Sequence, residues 1–454
     1  SEAPSEVPLS TQTPTNKPIT PYPTIEIGSK SKGCTPYIEE GGTCGREAEV
    51  EFKLLLPRLG NNPLENQMFG SSVAFVGDTQ TIIAVGSGVN DSPVHIYQKS
   101  NAGWEYLTSI SLPQSDTTAT SSSVLFGASL DSNDEGYIIV GAPLLSAETS
   151  TDSGKVYVYQ PTSNFTEWNL VARLEANDDN GRTTYAPIFG AFVSIDGTLI
   201  AVGSPSENNG KGSVYVFEHS GPLNQGNSWI QAVKLSPDYV AVGAEFGSSV
   251  SIYGNAPATL AVGAPGDDGG GSAFVYKRSD FDWLPQKLTP RDVQEGDQFG
   301  SNVVISGCTV AVSSPKDDTI SNGTGTVRLF NWDADGDYWA HSQIIEPTDE
   351  LSGDVFGQCI AMEGHTLLVG SPWGRGGDVQ SGVIYHFERI GNIWTMISVM
   401  SQDEHISGDD DDFGCPLSLS DDLVVVGSRG DSALGPNSGS AFIFDLCPEV
   451  GEAV

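Results

Sequence analysis

Asp333, Asp335 and Asp337 alternate along Asp333-Ala334-Asp335-Gly336-Asp337, a spacing that gathers three carboxylates in one tight turn. Such oxygen-rich, turn-borne ligands suit a hard cation, so calcium is the one cofactor these residues admit. The same residues also suit an acidic hairpin turn that needs no metal. Asp409-Asp410-Asp411-Asp412 is a second acidic run, and Asp297 and Asp354 read as turn caps. Arg429-Gly430-Asp431-Ser432 spells an adhesion tripeptide, but it sits where equivalent segments carry turns and reads as a turn variant. The six histidines (95, 219, 341, 365, 386 and 405) are scattered, and His386 interrupts an apolar strand as a core residue would. No His-Glu-x-x-His, Gly-x-Ser-x-Gly or phosphate-binding glycine loop occurs, so the chemistry reads as non-enzymatic.

The elements that must position these residues repeat. A Phe-Gly pair opens an apolar strand with its Phe at 69, 126, 189, 246, 299, 356 and 413. A period of this size marks a copied supersecondary unit. In the third unit Phe189-Gly190 leads to AFVSI, the turn Asp196-Gly197, LIAVGSP, a polar loop, GSVYVFEH and WIQAVKL. Four β-branched or aromatic runs between turn residues predict four antiparallel strands. The second run ends in Gly141-Ala142-Pro143, Gly203-Ser204-Pro205, Gly263-Ala264-Pro265, Ser313-Ser314-Pro315 or Gly370-Ser371-Pro372, and the fourth begins at Trp104, Trp168, Trp229, Trp283, Trp339 or Trp394. Such a sheet cannot bury both faces alone and must stack radially on its copies. The seventh unit lacks its fourth strand, and EVEFKLLLP at 49–57 supplies it by pairing with 440–446. The expected fold is all-β: a seven-bladed β-propeller closed by an N-terminal strand and preceded by a Pro/Ser/Thr-rich extended arm.

The Phe-Gly starts, Gly-Ala-Pro turns and sevenfold copy number resemble the FG-GAP repeats of the integrin α-subunit head over residues 49–447. That resemblance implies an extracellular recognition or structural module, often calcium-binding. The family's calcium loop lies between strands one and two. Its nearest match here, Asp131-Ser132-Asn133-Asp134-Glu135-Gly136, has Ile139 in place of the last carboxylate.

The expected organisation is an arm at 1–30, a Cys-containing connector at 31–48, the propeller at 49–447 and a tail at 448–454. The chain carries 58 acidic against 21 basic residues, a formal charge of −37, which opposes nucleic acid and anionic lipid. No apolar run reaches membrane-spanning length, so no membrane insertion is expected. Ser1 opens no charged-then-apolar leader, as expected of a mature or trimmed product. Sequons at Asn90, Asn164 and Asn322 predict glycosylation in loops, although Pro93 follows the first. Propeller geometry brings Cys359 near Cys415, and Cys44 near Cys447 at the ring closure. Cys34–Cys44 is a local alternative, and Cys308 reads as a buried thiol. Disulfides favour an oxidising compartment. The expectation is a non-enzymatic, extracellular or cell-surface glycoprotein that self-associates through its arm or meets other extracellular glycoproteins, as a filament or surface subunit. The alternative is a calcium-dependent adhesion or ligand-recognition module.

Overall fold

A computed structural model describes residues 49–55, 66–89, 92–116, 124–143, 153–177, 188–221, 228–254, 257–280, 282–288, 290–318, 324–347, 355–374, 382–402 and 411–447. The arm, the connector, the tail, Asn90, Asn322, Cys34 and Cys44 lie outside them.

Seven four-stranded antiparallel sheets form, each with its strands in sequence order except the last. Blade 7 comprises Phe413–Ser420, Leu423–Ser428, Ser440–Asp445 and, as its fourth strand, Glu49–Leu55. Lys53 lies opposite Phe442 and Leu55 opposite Ser440. The chain is an all-β seven-bladed propeller whose last blade joins its two ends. Closure of this kind removes an open sheet edge.

Second strands such as Leu199–Ser204 and Thr309–Ser314 are buried along their whole length, because each is flanked by strands and covered by both neighbouring blades. Fourth strands alternate, as Trp168–Leu174 does, because one face meets solvent. Seven apolar clusters fill the seven gaps between adjacent blades. The fourth-strand Trp of a blade packs into the gap shared with the preceding blade, as Trp229 does beside Tyr137 and Trp283 beside Leu235. Trp104, Trp229, Trp283, Trp339 and Trp394 are buried, and Trp168 is half-buried.

The geometry accounts for the repeated motif. Every Phe of the seven Phe-Gly pairs is fully buried. The residue before each Phe has positive φ, including the β-branched Ile188 at 52° and Val355 at 55°, and the Gly after it lies near +90°. Only glycine takes that conformation cheaply. Its N–H donates to the carbonyl at the end of the second strand, Gly127 to Gly141, Gly190 to Gly203 and Gly247 to Gly263. Its own carbonyl abuts the previous blade: a Cβ on Gly203 would lie 2.1 Å from the Gly247 oxygen. The two glycines of the motif are therefore fixed by one contact within a blade and one between blades.

Polar side chains stitch the inner strands around the ring. Asp131 accepts from the Ile195 N–H, Ser194 from Ile252, Ser251 from Ile305, Ser306 from Gly364, Glu363 from Asp421 and Ser418 from Phe75. Cys359, which begins the inner strand of blade 6, and Cys415, the third residue of the inner strand of blade 7, form a disulfide with Cα atoms 5.4 Å apart. Cys447 is also disulfide-bonded, to a partner outside the described residues.

His95 and His386 are 4% and 2% exposed, and burial lowers each to about 4. Their folded values lie below the unfolded 6.5, so the unfolded chain binds more protons between pH 6.5 and 4. Stability should therefore fall as pH drops through that window, by about 3 kcal/mol per histidine. Burial raises half-buried Asp131 to about 6, which acts in the opposite sense. Urea midpoints at pH 7 and pH 4.5 should separate in the native protein and draw together in His95→Gln/His386→Gln.

Candidate functional site

The loops between second and third strands, on the Phe-Gly side of the ring, gather the strongest electrostatics. Three residues after the small residue that ends the second strand, four blades place an acid: Glu207 after Ser204, Asp267 after Ala264, Asp317 after Ser314 and Asp431 after Ser428. All four are at most 4% exposed. A buried carboxylate needs a partner, and each has a cation from its own chain.

In blade 3 Lys234 pairs with Glu207, which also accepts from the Tyr215 hydroxyl at 2.9 Å. In blade 4 Lys287 reaches Asp267 at 2.8 Å and Asp268 at 2.5 Å, and the Ala241 N–H donates to Asp267 at 3.0 Å. Burial alone would push Asp267 up, but Lys287, Ala241 and Ser272 outweigh it and hold the carboxyl below its usual value. In blade 7 Lys53 of the N-terminal strand pairs with Asp431, which also takes the Ser440 hydroxyl and the Ala433 N–H. Lys234, Lys287 and Lys53 each precede a Leu at the end of a fourth strand. The pairs thus tie the upper loops to the outer strands.

Blade 5 departs from this plan. The cation there is Arg328 of the third strand (Thr326–Asp333), only 1% exposed. Its guanidinium meets Asp317 at 2.8 Å, Asp292 at 3.2 Å, Thr326 Oγ1 at 2.8 Å and Ser314 Oγ at 3.2 Å. Asp297, Asp317 and Asp318 bring one oxygen each within 4.8 Å of one another, and they are the residues best placed to hold a metal among those described. Asp297 is held up by burial and by Asp317 and Asp318, against the Gln294 N–H and Arg328. Burial and Asp317 likewise raise Glu346. A tethered guanidinium already occupies the cation's role beside Asp317.

The residues singled out from sequence lie in the hairpin and turn segments of several blades. Asp333 Oδ1 accepts the N–H groups of Asp335 and Gly336 at 3.1 and 3.2 Å, which closes the hairpin turn. Asp337 is exposed and pairs with Lys277 of the preceding blade at 2.9 Å. Lys277 thus lies against one of the three carboxylates in which the sequence suggested a cation site. In the loop at 131–136, Asp131 and Asn133 reach across to blade 3, accepting from Ile195 and donating to the Gly197 carbonyl. Asp297 caps its turn through the Gln294 N–H, at 2.7 Å. In the adhesion-like tripeptide Asp431 is 2% exposed and Arg429 pairs with Asp412 at 2.9 Å, so the segment is a turn whose acid faces inward. Asn164 is exposed at a hairpin tip.

One exposed apolar surface borders this acidic network. Tyr239 and Val242, 59% and 67% exposed, occupy the loop entering blade 4. Aligned on Phe246 and Phe299, they fall where the next loop carries Asp292 and Glu295. Tyr239 lies over Phe274, with ring centroids 6.0 Å apart.

Sequence comparison places this architecture among known repeats. The family model described as FG-GAP repeat matches residues 168–217, 229–276, 284–330, 339–387 and 407–444, together just over half the chain. The first four matches run from the fourth strand of one blade to the third strand of the next, the same offset that lets residues 49–55 complete blade 7. The fifth starts past the fourth strand of blade 6 and ends in the third strand of blade 7. No curated protein sequence matches the chain. Among solved structures, the crystal structure of Saccharomyces cerevisiae Sqt1 aligns at 12% identity and a TM-score of 0.45, over 90% of this chain and 100% of that one.

Proposed function

Because this chain belongs to the FG-GAP repeat family, we propose that it works as a non-catalytic extracellular subunit, a glycosylated propeller that self-associates through its N-terminal arm. The observation that carries this reading is the apolar Tyr239–Val242 surface. Buried acids nearby are committed to internal ion pairs, whereas these two side chains remain 59% and 67% exposed. No helix among the described residues is long and apolar enough to cross a membrane.

The occupant is the arm of a second copy. Residues 1–30 hold six prolines, three acids and two bases, so the arm is nearly neutral while the rest of the chain carries almost all of the −37 charge. An acidic surface repels its own acidic loops but not this arm. Proline-rich segments dock on exposed aromatic rings with little entropy left to lose. Light scattering of the intact chain, of a chain lacking residues 1–30 and of Tyr239→Ser/Val242→Ser tests the pairing. Both altered proteins should fold and associate more weakly, the surface variant by about 2 kcal/mol or roughly thirtyfold. Equal association of intact and truncated chains would remove the arm from the assembly.

A further inference from the structure

Asn164-Phe165-Thr166 forms the tip of the hairpin between the third strand (Lys155–Pro161) and the fourth strand (Trp168–Leu174) of blade 2. The loop is pinned from within. Thr162 N–H donates to the Glu167 carbonyl at 2.8 Å, Phe165 N–H to the Thr162 carbonyl at 2.9 Å, and Glu167 N–H to Thr162 Oγ1 at 3.2 Å. Phe165 takes φ of 55° and turns its ring inward onto Trp168, with centroids 6.3 Å apart. The ring also covers Gly136, where a Cβ would lie 2.4 Å from it. With the middle residue folded down, Asn164 and Thr166 stand exposed on either side.

The Asn164 amide has a fixed orientation. Its Oδ1 accepts from Thr162 Oγ1 at 2.9 Å, from Thr166 Oγ1 at 2.8 Å and from the Thr166 N–H at 3.4 Å. A backbone N–H can only donate, so the oxygen faces the loop and Nδ2 faces solvent. No described residue accepts a hydrogen bond from Nδ2.

From this geometry we infer that Asn164 carries an N-linked glycan. The inference rests on the secretory part of the proposed function. In the transfer, Nδ2 attacks the anomeric carbon of an oligosaccharide linked to a lipid diphosphate. The carbon–nitrogen bond forms, the bond to the diphosphate oxygen breaks, the lipid diphosphate leaves with the electron pair, and Nδ2 gives up one proton to a base of the transferase. The Thr two residues on completes the acceptor. Folding then keeps the modified nitrogen in solvent with no native contact to give up. The glycan would project beside the blade's outer edge strand, where Val171 is 44% exposed, and would hinder strand pairing with another chain.

The test expresses the whole chain behind a cleavable secretory leader in a eukaryotic host and maps peptides before and after enzymatic glycan release. Wild type and Thr166→Ser should be occupied at Asn164, while Asn164→Gln and Thr166→Ala should be bare, with unchanged melting temperatures. Secreted wild-type protein with Cys359–Cys415 formed and Asn164 unmodified overturns the inference. Protein from its native cells with Cys359 and Cys415 as thiols would instead sink the secretory part of the proposed function, while occupancy behind the leader still decides whether Asn164 is an acceptor.

Discussion

Lys53→Met is expected to loosen the ring at its seam. Asp431 is 2% exposed, and losing Lys53 leaves its charge with only the Ser440 hydroxyl and the Ala433 N–H. Breaking a buried pair by removing one partner costs about 3–5 kcal/mol, because the remaining charge stays desolvated. Lys53 also lies over the Phe442 ring, 4.8 Å from its centroid, and Met retains part of that packing. Asp431→Asn should cost less, since Lys53 is 18% exposed and can turn to water. The double variant should recover part of the single-variant loss, the coupling expected of contacting residues.

The damage should be local before it is global. Residues 49–55 pair with one strand only, Ser440–Asp445, and the Tyr97 hydroxyl donates to the Leu55 carbonyl across to blade 1 at 2.7 Å. Amide exchange over 49–55 should accelerate in Lys53→Met ahead of the other blades. A chain lacking residues 1–57 should be worse, with blade 7 left open and prone to aggregate. A Lys53→Met protein within about 0.5 kcal/mol of wild type, the usual range for surface changes, would show that backbone pairing alone holds the seam.

The repeat made the architecture legible because its spacing is covalent: seven Phe-Gly pairs and six Trp fix where strands begin. The seam was legible for the same reason, as a missing fourth strand and a spare one at the other end. Side-chain partnerships across blades were not. The spacing of Asp333, Asp335 and Asp337 does not reveal that Lys277 arrives from the preceding blade. Asp431 read as one residue of a tripeptide, and its role emerges only when its turn is stacked on those holding Glu207, Asp267 and Asp317. The signal was present as an acid three residues past the second strand and a basic residue before Leu in the fourth. It pairs residues about 20 to 30 positions apart in blades 3 and 4, and 378 apart at the seam, which no local window joins. Blade 5 breaks even that pattern, since its cation comes from the third strand.

Arg328→Met should therefore be the most damaging single change among these pairs. It strips Asp317, fully buried, of its cation and leaves Asp297 and Asp318 crowding it within 4.8 Å. A loss of about 3–5 kcal/mol is expected from the uncompensated charge. Arg328→Lys should restore part of it, because an ammonium can meet Asp317 but cannot fork to Ser314, Thr326 and Asp292 together. The pH dependence separates charge from packing. Asp297 already titrates above its ordinary value, and without the guanidinium Asp317 should join it. A carboxylate whose folded value lies above its unfolded one contributes stability while protonated and loses it as pH rises through the folded value. The deficit of Arg328→Met relative to wild type should thus be small near pH 4 and grow toward pH 7. Millimolar calcium should recover part of it at pH 7 in the variant while leaving wild type unmoved, since only the variant lacks a resident cation beside Asp317. Urea midpoints across that range decide between the two: a deficit that is equally large at pH 4 and pH 7, and insensitive to calcium, would assign Arg328 to packing alone.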